Sequence, residues 1–107
     1  MTHTVTEAQN GATVAMAVGD VLQIHLPENP TSGYRWAPDE IDEARVAVEP
    51  PSYRAEDGRP GSGGMVTWTL RAKAPGTPRV ALKHWRHWDG DRSVTQRFTL
   101  TLDIKPA

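Results

Sequence analysis

An all-β sandwich is the fold that this sequence predicts. Apolar and polar residues alternate with period 2 in its clearest stretches, and no segment carries a convincing 3.6-residue apolar repeat. Gly/Pro turns fall at intervals of about a dozen residues, the rhythm of short strands in a two-sheet fold.

Taken in order, residues up to about Gly11 form a weak opening strand. Ala12 to Val18 form a second, closed by the turn pair Gly19-Asp20. Val21 to Leu26 is clearer, with Leu22, Ile24 and Leu26 on one face and Gln23 and His25 on the other. Pro27 to Gly33 is a loop, Tyr34 to Ala37 the next strand, and Pro38 to Glu43 an acidic connection. Val46 and Val48 open an extended segment that Pro50-Pro51 interrupts before Tyr53, which places it at a sheet edge. Glu56 to Gly64 has no apolar residue to hold it down. From Met65 the alternation returns, with Val66, Trp68, Leu70 and Ala72 sharing a face. After the turn at 74–78, Val80, Leu82 and His84 alternate with Ala81, Lys83 and Trp85. The last strand carries Val94, Phe98, Leu100, Leu102 and Ile104 on its inner face. Trp36 and Trp68 lie on inward parities and are expected in the core.

The chain of 107 residues fits one domain, 1–107, because a single core of this size is viable and two are not. Hydrophobic residues make up 37% and charged residues 23%, and four Trp supply burial that aliphatics do not. That balance indicates a folded chain. A formal net charge of -1 and the lack of a Lys/Arg block argue against nucleic acid as a partner. Without cysteine there is no disulfide, thiolate metal site or thiol nucleophile. Nothing approaches the ~20 apolar residues of a membrane span. The start, Met1 to Glu7, lacks the basic and apolar stretches of a secretory signal. As written, the chain is expected in the cytoplasm, or in a secreted or periplasmic location if a leader has been removed. A net charge near zero and no apolar stripe favour a monomer.

One stretch organises the rest: Asn29-Pro30-Thr31-Ser32-Gly33-Tyr34-Arg35-Trp36. Pro30 fixes its own φ and pushes Asn29 towards extended geometry, and Gly33 permits a positive φ. The loop should be stiff, with Thr31 and Ser32 as small hydroxyl groups at its tip; an ordinary β-turn has the same composition. Strands that run alternately up and down put every second connection at one end. Counting from Val21, those connections are 27–33, 56–64 and 87–92, whereas the turns near Glu40 and Pro75-Gly76 fall at the other end. Loops gathered at one end of a rigid sandwich form a composite binding edge.

Three motifs on these loops carry a family resemblance. Asn29-Pro30-Thr31-Ser32-Gly33-Tyr34 resembles the NPTTGY loop, Gly61-Ser62-Gly63-Gly64 the GxGG loop, and Arg86-His87-Trp88 the RPW loop of chagasin-type inhibitors of papain-like cysteine proteases. Order and spacing match from Val18 to Ile104. The resemblance implies an immunoglobulin-like β-sandwich whose three functional loops (BC, DE and FG) plug the protease cleft without any chemistry. It would set Thr31 and its neighbours against the catalytic Cys-His pair, Gly61 to Gly64 along the non-primed side, and Arg86 and Trp88 over the primed side. His87 stands where the family has proline, so the third loop is expected to be less rigid.

Other readings attach to the same residues. His84, His87, Asp89 and Asp91 include metal-ligand types, but His84 is more simply a hydrogen-bonded core residue and Asp89-Gly90-Asp91 a turn. No metal or cofactor is expected. Trp85 and Trp88 could form an aromatic platform for sugar rings, as in a carbohydrate-binding module. A scaffold that has lost potency and binds another protein through the same edge is a further alternative. Ser32 and Ser62 lack the context of a nucleophile, so the chain is not expected to be an enzyme.

Overall fold

A computed structural model describes residues 1–55 and 63–107, and of Pro30 the backbone alone. Among the described residues there are nine strands: β1 (Thr2–Thr6), β2 (Thr13–Ala17), β3 (Val21–Glu28), β4 (Arg35–Glu40), β5 (Val46–Val48), β6 (Ser52–Ala55), β7 (Gly64–Ala72), β8 (Arg79–Trp85) and β9 (Gln96–Lys105). One sheet has the order β1-β3-β7-β5, with β6 also pairing to β7; the other has the order β2-β9-β8-β4. Their inner faces meet in a core built from Leu22, Ile24 and Leu26 of β3, Val66, Trp68 and Leu70 of β7, Val80 and Leu82 of β8, and Phe98, Leu100, Leu102 and Ile104 of β9. Each such side chain contributes about 1.5–3 kcal/mol relative to exposure, which is what holds the two sheets together. Trp36 and Trp68 are both in this cluster, as their parity predicts.

The opening segment departs from simple up-and-down order. β1 lies parallel to β3, and β2 lies parallel to β9, so the chain changes sheets between them. A 3-10 turn at Glu7–Gln9 makes the change, capped where Thr6 N donates to Gln9 Oε1 at 2.7 Å and Ala8 N to Thr6 Oγ1 at 3.3 Å. Asn10 then docks the segment on β9, its Oδ1 accepting from Thr99 N at 2.9 Å. Two strands also run longer than alternation alone suggests. β3 continues through Pro27 to Glu28, because that proline lies on the exposed parity. β4 continues to Glu40 across a register shift between Pro38 and Glu40, a bulge that accommodates the proline on an edge strand.

From β3 onward the strand directions alternate, with β5 and β6 running the same way as one interrupted strand along β7, and this positions the loops. Antiparallel pairing sets Glu28, at the end of β3, beside Gly64 at the start of β7. It sets Arg35, at the start of β4, beside Trp85 at the end of β8. The connections leaving these ends therefore share one pole. At the other pole Arg45 Nε donates to Pro75 O at 3.2 Å and Lys73 Nζ to Glu43 O at 2.8 Å, which ties the two ordinary turns together.

Candidate functional site

The first loop is organised by Asn29. Its Oδ1 accepts from Thr31 N at 3.1 Å and from Thr31 Oγ1 at 2.7 Å, and its backbone oxygen accepts from Ser32 N at 3.1 Å and Ser32 Oγ at 2.7 Å. Ser32 Oγ in turn accepts from Tyr34 N at 3.2 Å. The 3-10 turn at Pro30–Ser32 is the result. Both hydroxyls, expected as small polar groups at the tip, are used to hold the turn, although Thr31 and Ser32 remain exposed.

Below the turn the loop mouth is closed by residues that alternation stopped short of finding. Glu28 is only 6% exposed, and its Oε1 accepts from Trp36 N at 2.8 Å; the Trp36 indole Nε1 donates to Pro27 O at 2.9 Å. Glu28 is the next position on the Leu22, Ile24, Leu26 face, so the period-2 pattern points to it once β3 is carried through Pro27.

Of the second loop, Gly61 and Ser62 lie outside the described residues, as does the stretch 56–60. Gly63 approaches the first loop, where a Cβ would lie 3.9 Å from Asn29 Cβ. Gly64 has a different reason to be glycine: a Cβ there would collide with the Arg54 carbonyl and stand 2.6 Å from Tyr53 Oη. Its missing side chain admits β6.

The third loop leaves β8 in extended geometry at Arg86 and turns through His87–Ser93, kinked at Gly90. Ser93, buried and not singled out in the sequence, is its hub. Ser93 Oγ accepts from Arg86 N at 3.0 Å and donates to Gly90 O at 2.7 Å, with Arg86 O a further 3.0 Å partner. A side-chain anchor thus braces the loop that lacks proline at 87. His87 packs edge-on against Trp88, with ring centroids 5.0 Å apart.

The loops touch. The Trp88 indole lies over Gly33, and the Arg86 guanidinium sits 4.8 Å from the Tyr34 ring centroid while Arg86 Nε pairs with Asp89 Oδ2 at 3.0 Å. Underneath, His84 stacks on Tyr34 at 5.4 Å and tilts against Trp36 at 5.1 Å, with Nδ1 2.9 Å from Thr95 Oγ1. It is half-buried at the loop pole. Burial holds its imidazole pKa below the usual value, and the charge of Glu28 partly opposes that shift. An open groove of about 370 Å³ runs between the first two loops and His84.

Trp88 is 61% exposed, whereas Trp85 is half-buried with the Lys83 ammonium 3.7 Å from its ring centroid. One stacking face of Trp85 is therefore occupied. Among the described residues no group of three His, Cys, Asp or Glu side chains is placed to hold a metal ion. Among them, too, no helix is long and apolar enough to cross a membrane.

A sandwich that presents interlocked loops at one pole, braced from below by buried polar side chains, is built as a loop-presenting binding protein. Its family follows from comparison with known proteins: the model of the chagasin family peptidase inhibitor I42 matches residues 15–102, and the chain belongs to that family of inhibitors, which are not enzymes. It is 36% identical to chagasin of Trypanosoma cruzi over 107 residues, covering 95% of this chain and 97% of that protein. In fold it is similar to the cysteine protease inhibitor EhICP2 from Entamoeba histolytica, with a TM-score of 0.86 at 23% identity over 97% of this chain and 96% of that one. It is also similar to PbICP-C, solved in complex with falcipain-2, with a TM-score of 0.68 at 13% identity over 98% of this chain and 90% of that one.

Proposed function

We propose that this protein inhibits papain-like cysteine proteases reversibly and without covalent chemistry, by seating its three loops in the active-site cleft. Asn29 to Tyr34 would form the central tip, Gly61 to Gly64 one flank, and Arg86, His87 and Trp88 the other. The observation that carries the proposal is the contact between two loops distant in sequence, Trp88 over Gly33, in a chain of this inhibitor family.

Such a ridge blocks the cleft by occupancy, presenting no positioned scissile carbonyl to the thiolate. Because the first and third loops are tied by their own hydrogen bonds, less ordering cost remains at binding. An interface of roughly 800 Å² per partner would be typical, its energy concentrated in aromatic and arginine contacts such as Trp88 and Arg86. Titration against papain with a fluorogenic substrate tests the proposal. Reversible competitive inhibition is expected. Absence of inhibition at micromolar protein, with retention on polysaccharide, would favour a carbohydrate-binding role for the exposed Trp88 instead.

A further inference from the structure

We infer that Glu28 is a positioning residue for the inhibitory edge: its carboxylate, closed on the Trp36 amide, holds loop 29–34 in the shape presented to a protease. The inference rests on the three-loop proposal for its consequence, but its structural half stands on this chain alone.

Glu28 is the one charged side chain in the buried set among the described residues. Removing a carboxylate from water is costly unless it is hydrogen-bonded, and an apolar residue of similar size often serves stability as well or better. A carboxylate kept here is thus poorly explained by packing, and its geometry offers the reason. Glu28 ends β3 in one sheet, and Trp36 lies in β4, the edge strand of the other. Their bond, Trp36 N donating to Glu28 Oε1 at 2.8 Å across eight residues, spans the mouth of the loop where the two sheets part.

Pairing to a charged acceptor makes this bond stronger than a neutral one. The bonds above it that join Asn29 to Thr31 and Ser32 shape the turn itself. Through β4, which pairs with β8, the turn joins the second sheet, and Trp36 ties that strand back to β3, its amide held by Glu28 and its indole by Pro27 O. His84 contacts both Tyr34 and Trp36, and Tyr34 lies under Arg86. A shift of Trp36 would therefore move the first loop and disturb its contact with the third.

The test uses two variants of the whole chain: E28M, which keeps the side chain's length but has no acceptor, and E28Q, which keeps an oxygen. Two readouts are taken, hydrogen exchange at the Trp36 amide in the free protein and the inhibition constant for papain. E28M is expected to speed Trp36 exchange by about tenfold and to raise the inhibition constant by about tenfold, and E28Q to recover much of both. Trp36 exchange and inhibition both unchanged in E28M would overturn the inference. Should E28M fail to fold, E28Q decides: near-wild-type values in both readouts support the acceptor role, and weakened inhibition with Trp36 still protected overturns it. A wild-type protein that does not inhibit papain would sink the three-loop proposal instead, leaving exchange at Trp36 to decide whether Glu28 is the brace.

Discussion

The Trp88 indole closes over Gly33 so tightly that a methyl group on that Cα would stand 2.9 Å from Trp88 Cη2 and 3.2 Å from Cζ2. Gly33 also holds φ at +82°, a conformation that side chains resist. Gly33→Ala is therefore expected to cost roughly 1–2 kcal/mol in stability from backbone strain and to push the indole out of place. Urea denaturation measures the first effect. A papain titration measures the second, as inhibition lost beyond what the fall in stability explains.

Trp88→Ala should behave in the opposite way. The indole is largely exposed, so its removal leaves the core intact and the denaturation midpoint close to wild type. Binding to papain should weaken by about 2 kcal/mol, the loss typical of an aromatic anchor. An unchanged inhibition constant would remove Trp88 from the interface.

Ser93→Ala tests the brace of the third loop. Deleting the hydroxyl leaves Arg86 N and Gly90 O without the partner they have in the native protein, at an expected cost of about 1–3 kcal/mol. Faster amide exchange at Arg86, with Leu82 and Leu100 still protected, would place that cost in the loop and not in the core.

His84 predicts a pH dependence. Its imidazole pKa is held below the ordinary histidine value of 6.5, chiefly by burial, so below that pH the unfolded chain takes up a proton that the native state resists. Stability should be insensitive to this group above 6.5 and should fall as the pH drops beneath it, until the native imidazole also protonates. His84→Phe retains a ring between Tyr34 and Trp36 without the titration. Loss of the Thr95 contact gives a fixed offset between wild type and His84→Phe, and the difference in denaturation midpoint should change only on the acid side; a constant difference from about pH 7.5 to about pH 5 would exclude the effect.

Much of this architecture is legible in the residues themselves. Alternation finds β3, β7 and β9 and puts Trp36 and Trp68 in the core, because half-buried strands must alternate. It does not find the parallel pairing of β1 and β2, since the faces of a short Thr- and Ala-rich strand do not encode which sheet it joins. At the pole the three loop motifs are visible as turn chemistry and aromatics, but their supports are not. Glu28 hides behind Pro27, which resembles a strand terminator and is in fact an exposed strand position. Ser93 is an ordinary loop serine until the fold buries it, and Gly64 faces β6, a neighbour that composition cannot name.

The parallel seating of β1 and the long run of β9 have one more effect. Met1 meets the Gly19-Asp20 turn, where its ammonium is 3.1 Å from Asp20 Oδ1, and Lys105 O accepts from Val18 N at 2.9 Å beside the same turn. Both ends of the described chain emerge at the pole farthest from Thr31 and Trp88. Whatever is fused or tethered at either end, whether a carrier, an anchor or a solid support, would hang behind the molecule and leave the rim that bears Thr31 and Trp88 unobstructed.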